Sequence, residues 1–253
     1  MVTLTAVQEV LHRLYIAAPE ASLRKEDRKK AHELVGLLAE IEQVVRGCKS
    51  DRAMHLVDAA AGKAYVGLLA AEFFLTARPR GGQVTMIERD PARAASCQEA
   101  AVRMGAKNVD ITVKNSDVGN VAAWPDEPDL VVALHACGPA FDLIAERALA
   151  SRARHLLLVP CCTSASVAAT QTATRRAESL GLPRQAEIRR RFIQAIVDAE
   201  RTLLLEAAGY ETNVVSFVAP TQTPHHLLWR SRRVNEPNRM AEAAQRLRLL
   251  RDI

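Results

Sequence analysis

The chain has 253 residues, 49% of them hydrophobic, 25% charged and 4% aromatic. That is enough for one large domain, or a domain plus a small addition, and it excludes a disordered chain, a collagen-like repeat and a disulfide-stapled miniprotein. The net charge of +5 permits a polyanionic partner without demanding one, and so few aromatic residues argue against a stacking platform for single-stranded nucleic acid.

Residues 1 to about 47 carry helical spacing and no strand signal. Leu4, Val7, Val10, Leu11 and Leu14 predict a first helix. After a turn at Ala18-Pro19-Glu20, His32, Leu34, Leu37, Leu38 and Ile41 predict a second. From Arg52 the pattern changes to short apolar runs of strand length: Met54–Asp58, Val84–Glu88, Val109–Val113, Leu130–Leu134, Leu156–Val159, Val214–Val218 and Leu227–Trp229. Helix-length stretches at 63–77, 91–104 and 139–150, and a short one near 118–123, separate the first five. The stretch 163–176, rich in Ser, Thr and Ala, reads as a mobile loop, and a long helix over 184–208 follows. The last two strands are joined in hairpin fashion by Ala219–His225, and a C-terminal helix closes the chain. Strands alternating with helices predict a Rossmann-like α/β fold. Its sheet has seven mostly parallel strands, with the last pair antiparallel. The expected organisation is a helical N-terminal appendage (1–47), a central domain (48–235) and a C-terminal helix (236–253).

No apolar run approaches the ~20 residues of a membrane span, and the N-terminus reads as an amphipathic helix rather than an export signal. A cytoplasmic protein with no membrane partner is therefore expected. The five cysteines, Cys48, Cys97, Cys137, Cys161 and Cys162, are an odd number without an export signal, so free thiols are expected rather than a disulfide framework.

In an open α/β sheet the ligand site lies at the carboxyl ends of the strands. The first strand ends at Asp58 and is followed by Ala-Ala-Ala-Gly62-Lys-Ala64-Tyr-Val-Gly67. Residues 62–67 match G-x-A-x-x-G, a dinucleotide fingerprint in outline. An acid that ends the strand would repel a pyrophosphate, however, and would attract an ammonium. The segment resembles the first motif of class I S-adenosyl-L-methionine (SAM) methyltransferases, D-x-G-x-G-x-G, with Asp58 as the acid and Ala60, Gly62 and Ala64 at the three glycine positions. That resemblance implies SAM as cofactor and S-adenosylhomocysteine (SAH) as its product. It also implies Glu88, at the end of the second strand, for the ribose diol and Asp117, after the third, for the adenine amino group. Two alanines in place of glycines would be strained at positive φ, which leaves open a domain that no longer binds the cofactor and serves as a scaffold.

The fourth strand runs into Leu134-His135-Ala-Cys137-Gly138-Pro-Ala-Phe-Asp142, and the fifth into Val159-Pro160-Cys161-Cys162. These two ends are neighbours in a parallel sheet, so His135, Cys137, Cys161 and Cys162 are expected to converge. The segments LHACGPAFDL and VPCC are similar to signatures of a methyltransferase-domain family distantly related to tRNA 2′-O-methyltransferases. The helix Lys29-Lys30-Ala-His32-Glu33 and the segment Phe217–Trp229 also resemble parts of that family. The resemblance implies acceptor chemistry near His135, Cys137 and Asp142, with RNA preferred over a small molecule as the acceptor class. Histidine as a residue type titrates near neutrality, so His135 is the natural general base, and a capping role is its plainer alternative. The cysteines could be small hydrophobes in tight turns, nucleophiles or zinc ligands, and no metal is expected. Leu134 stands where amino-methylating nucleic-acid enzymes place an Asn or Asp, so it is expected only to wall the cofactor site, and exocyclic adenine methylation is disfavoured. The basic runs, from Arg24-Lys25 and Arg28-Lys29-Lys30 to Arg189-Arg190-Arg191, read as solvated faces.

Overall fold

A computed structural model describes residues 2–16, 22–48, 52–161 and 164–251. The turn expected at 18–20 and Cys162 lie outside the described residues. Helix α1 (Leu4–Tyr15) starts where the Thr3 hydroxyl accepts the Ala6 N–H, and it buries Val7, Val10, Leu11 and Leu14. Helix α2 (Lys25–Gly47) buries Ala31, Leu34, Leu37, Leu38, Ile41 and Val45 along one stripe, as a 3.6-residue period requires.

Seven strands form one sheet: β1 (Met54–Ala59), β2 (Gly82–Glu88), β3 (Val109–Asn115), β4 (Leu130–Ala136), β5 (His155–Pro160), β6 (Tyr210–Ser216) and β7 (Leu227–Arg233). Their order is β3-β2-β1-β4-β5-β7-β6. The first five are parallel, and β7 runs antiparallel to both β5 and β6. The crossover elements are α3 (Tyr65–Ala70) with a π-helical turn (Ala71–Leu75), α4 (Pro91–Met104), a 3-10 turn (Val121–Ala123), α5 (Ala140–Ala150), α6 (Ala168–Ser179) and α7 (Ala186–Ala207). Helix α8 (Pro237–Arg251) packs on α7. The stretch read as a mobile loop is corrected in its greater part: α6 occupies it, burying Thr170, Ala173 and Ala177. Its small side chains looked like a loop because the helix buries alanines rather than large apolar residues.

Side chains alternate strictly between the two faces of the sheet. Met54 and Leu56 of β1 join one core with α1, α2 and α3, whereas Val57 and Ala59 join a second core with Phe141, Ile144 and Trp229. The two N-terminal helices, expected as an appendage, thus supply much of one core. Helix α2 lies against the chain leaving β6 through Gly36, where a Cβ would stand 2.3 Å from the Phe217 carbonyl oxygen. This packing brings Glu33, in the N-terminal half of α2, to the carboxyl end of β4.

Candidate functional site

The turn after β1 adopts left-handed backbone at the three positions matched to glycine, with φ of 56° at Ala60, 61° at Gly62 and 57° at Ala64. Two of them carry a Cβ, and L-residues pay about 1–2 kcal/mol for that conformation. The turn is held from several sides. The Asp58 carboxylate, 2% exposed, accepts the Gly67 N–H at 2.8 Å and so ties β1 to α3. From the N-terminal helices, the Tyr15 hydroxyl donates to the Lys63 carbonyl, and Asp27 accepts from Tyr65 at 2.8 Å and Lys63 at 3.2 Å.

Glu88, at the end of β2, accepts the Gly62 N–H at 2.7 Å with one oxygen and the Asp90 N–H at 2.9 Å with the other. Each oxygen keeps a further lone pair. In front of Gly62 there is open space, since a Cβ there would meet nothing within 4 Å. Asp117, exposed after β3, accepts the Gly119 N–H at 2.8 Å with Oδ1. Leu134 is half-buried at the end of β4. Burial, helped by the nearby Glu88 charge, pushes the Asp58 carboxyl up to about 7, although the Gly67 N–H opposes it. Asp58 and Glu88 therefore brace the turn from beneath, and Asp117 stands exposed after β3.

At the end of β4 the register against β5 shifts between Leu134 and Ala136, and His135 takes φ of 64°. A bulge re-aims a side chain that regular pleating would direct along the sheet normal. Here the His135 ring is carried to α2, where its Nε2 lies 2.7 Å from Glu33 Oε2. Lys30, one helical turn earlier, holds the same oxygen at 2.8 Å. Burial alone would raise Glu33, but the hydrogen bonds from His135 and Lys30 and the Lys30 charge hold its carboxyl down at about 2. The ring of His225, from the β6–β7 connection, meets His135 edge to face at 5.7 Å. Burial and the His135 neighbour depress His225 below the ordinary histidine range. An ionised Glu33 can only accept, so His135 Nε2 carries the proton of this hydrogen bond.

Two expectations change here. Cys137 is joined to Cys161 in a disulfide linking the chain segments after β4 and β5. A bonded sulfur is neither a nucleophile nor a thiolate ligand, so the free-thiol reading of this pair is corrected. No metal-binding cluster occurs among the described residues. Asp142 is occupied as well: both its oxygens receive Arg201, at 3.0 Å from Nε and 3.0 Å from Nη2, and that guanidinium lies 4.4 Å over the Phe141 ring. Asp142 thus fastens α7 to α5. The sequence reading passed over Glu33, Lys30 and His225 as chemistry. Glu33 is 102 positions from His135, and its signals in the sequence are the family resemblance of Lys29–Glu33 and the Lys30-to-Glu33 spacing on one helical face.

A protein-family model described as a methyltransferase domain matches residues 29–171. No curated protein matches the chain. Similar solved structures include a magnesium protoporphyrin IX methyltransferase from Synechocystis PCC 6803, at 15% identity and a TM-score of 0.45, covering 89% of this chain and 93% of that one. Another is an rRNA methylase from Streptococcus thermophilus, at 9% identity and a TM-score of 0.48, covering 79% and 96%. A third is a precorrin-6y C5,15-methyltransferase from Geobacter metallireducens GS-15, at 15% identity and a TM-score of 0.39, covering 76% and 85%.

Proposed function

The chain belongs to the methyltransferase-domain family, and on that premise we propose that it transfers a methyl group from SAM to an acceptor heteroatom deprotonated by His135. The observation that carries this reading is the His135–Glu33 pair, set by a bulge at the carboxyl end of β4, the neighbour of β1 in the sheet. When bound, SAM supplies an activated methyl group on a sulfonium. Glu88 offers two acceptor oxygens to a ribose diol, Asp117 an acceptor to the adenine amino group, and the space before Gly62 lets the ligand approach the backbone. Leu134 gives the pocket an apolar wall. His135 Nδ1 takes the acceptor's proton, and the Glu33 carboxylate orients the ring and stabilises the imidazolium that results. Positioning of the acceptor supplies most of the remaining acceleration.

Titration calorimetry with SAM, SAH and NAD tests the cofactor. Micromolar binding of both adenosyl ligands, none of NAD, and loss of binding in Glu88→Ala are expected. No binding of either adenosyl ligand by a folded protein would move the scaffold reading forward. His135→Asn should keep SAM affinity and lower methyl transfer to any accepted substrate by about 10²–10⁴-fold. Glu33→Gln should lower kcat with unchanged SAM affinity.

A second reading, RNA as acceptor, rests on the start of α2. Arg24, Lys25, Arg28 and Lys29 are exposed there, about one to two and a half turns from Glu33, and no carboxylate pairs with them among the described residues. Such cations track a phosphate backbone. Salt-sensitive binding of short RNAs that weakens in a variant with Lys25, Arg28 and Lys29 replaced by Gln would support it.

A further inference from the structure

A cavity of about 490 Å³ opens between α7, the end of β5 and the β6–β7 connection. Cys161 and His225 are among its lining residues, and both are tied to the β4 end, Cys161 through its disulfide to Cys137 and His225 through its ring contact with His135. The cavity therefore reaches the proposed base through His225, and its size suits one small organic molecule.

Two of its groups lack partners among the described residues. Arg201 is 2% exposed and gives Nε and Nη2 to Asp142, but Nη1 is buried with no hydrogen bond. His226, across the chain on the β6–β7 connection, has a buried Nδ1 with none either. Leaving a buried polar atom unpaired costs about 1–3 kcal/mol, and more for a charged group. Arg201 and His226 line the same cavity from two elements, so a molecule there can complete the bonding that each side chain leaves open. A guanidinium only donates, so the missing partner is an acceptor, and the strongest acceptors for such a donor are oxyanions.

The remaining charges are consistent with this chemistry. Glu187, at the rim, is already paired with Arg190 at 2.9 Å and Arg191 at 2.9 Å. Asp142 lies on the far side of Arg201 and is spent on it. That leaves Asp198 as the acid facing the cavity without an ion pair. Burial pushes its carboxyl up to about 6, against the pull of Arg201 and a hydrogen bond from Gln194. It is thus an acid that takes up a proton easily when another negative charge arrives.

We propose that this cavity is the acceptor pocket, and that it takes a small molecule bearing a carboxylate or phosphate, held by Arg201 and His226 with its reacting atom turned towards His135. This rests on the methyltransferase reading and names its substrate class. Binding of the oxyanion is coupled to proton uptake by Asp198.

Sulfate, which stays a dianion across the range, serves as the phosphate-like probe and benzoate as the carboxylate probe. Each is titrated into the SAH-saturated full-length protein at pH 5.5 and 7.5. Saturable binding is expected, roughly tenfold tighter at the lower pH. His225, depressed below the ordinary range, charges in the same direction, so the discriminating variant is Asp198→Asn, which is nearly isosteric. It should tighten binding at pH 7.5 and remove most of the pH dependence. Arg201→Gln should abolish probe binding, with SAH affinity as the check that the variant is folded. Tighter sulfate binding assigns a phosphate to the acceptor, and tighter benzoate binding a carboxylate. SAH binding without saturable binding of either probe overturns the pocket and leaves the methyltransferase reading standing, whereas failure of SAH itself to bind counts against that reading. An unchanged pH dependence in Asp198→Asn overturns the proton coupling. Displacement of sulfate by a short RNA in proportion to its phosphates makes the cavity part of a polyanion surface and overturns the small-molecule assignment.

Discussion

Four residues of the candidate site, Ala60, Gly62, Ala64 and His135, share left-handed backbone, and only one is a glycine. Strain of this kind persists where surrounding structure over-determines the conformation. Here the surroundings are the Asp58 and Glu88 carboxylates beneath the turn and the hydroxyls of Tyr15 and Tyr65 around it. The strain can be measured. Ala60 is only half-buried, so Ala60→Gly gives up little packing. Relief of about 1–2 kcal/mol of left-handed strain outweighs the 0.5–1 kcal/mol, roughly, of extra backbone entropy lost by a glycine. Denaturant unfolding should therefore show Ala60→Gly more stable by about 0.5–1 kcal/mol; a destabilised variant would mean the turn is not left-handed at this position. Ala64 is fully buried, and loss of its methyl cancels the relief. The acids were legible in the sequence, because strand ends and side-chain charge are local features. The bulge at His135 was not, because it arises from pairing with β5.

Among the elements, α2 decides the most. Its apolar stripe was readable, but its docking was not, because the contact that sets it is an absence. Gly36 has no side chain, and the helix comes down onto the backbone at Phe217 and the Val218 side chain, 2.3 Å and 2.6 Å from where a Cβ would be. A Gly→Ala change in a helix interior would ordinarily stabilise by about 1 kcal/mol. At Gly36 overpacking against a carbonyl dominates, and a net loss of about 1–3 kcal/mol is expected in urea unfolding, together with weaker His135–Glu33 pairing. Stabilisation instead would show that α2 does not dock through this face. The same docking turns Lys30 and Glu33 from an ordinary one-turn ion pair into part of the site. Helix α7 makes a parallel case: its Arg-rich start read as a solvated face, and Arg190 and Arg191 are indeed paired with Glu187. Arg201, two turns beyond Gln194 on the same helix, is buried and reaches Asp142.

For the molecule as a whole, folding confines Asp58 in a site with almost no solvent. Its folded-state pKa of about 7 lies above the ordinary carboxylate value near 3.9. The folded state therefore holds a proton that the unfolded chain has released, and stability falls as pH rises from about 4 to about 7. Histidines depressed by burial, His55 and His155 among them, act in the opposite sense, with stability gained as pH rises towards the ordinary histidine value. The difference between wild type and Asp58→Asn isolates the carboxylate. Unfolding free energies measured from pH 4 to 8 should show Asp58→Asn losing the fall over this window, by an amount on the order of a few kcal/mol. Parallel curves for the two proteins would mean that Asp58 is not confined. The sequence by itself determined the alternation of strands and helices, the seven-stranded order of business from β1 to β7, and the acids that end β1 and β2, because each depends on local periodicity and on residue type. Only the tertiary structure decided that α1 and α2 complete the core, that Glu33 meets His135 and His135 meets His225, that Cys137 bonds Cys161, and that one Arg201 donor is left without an acceptor among the described residues. Those outcomes depend on distances between residues far apart in the chain, and such distances are fixed by packing and pairing register, which no local pattern encodes.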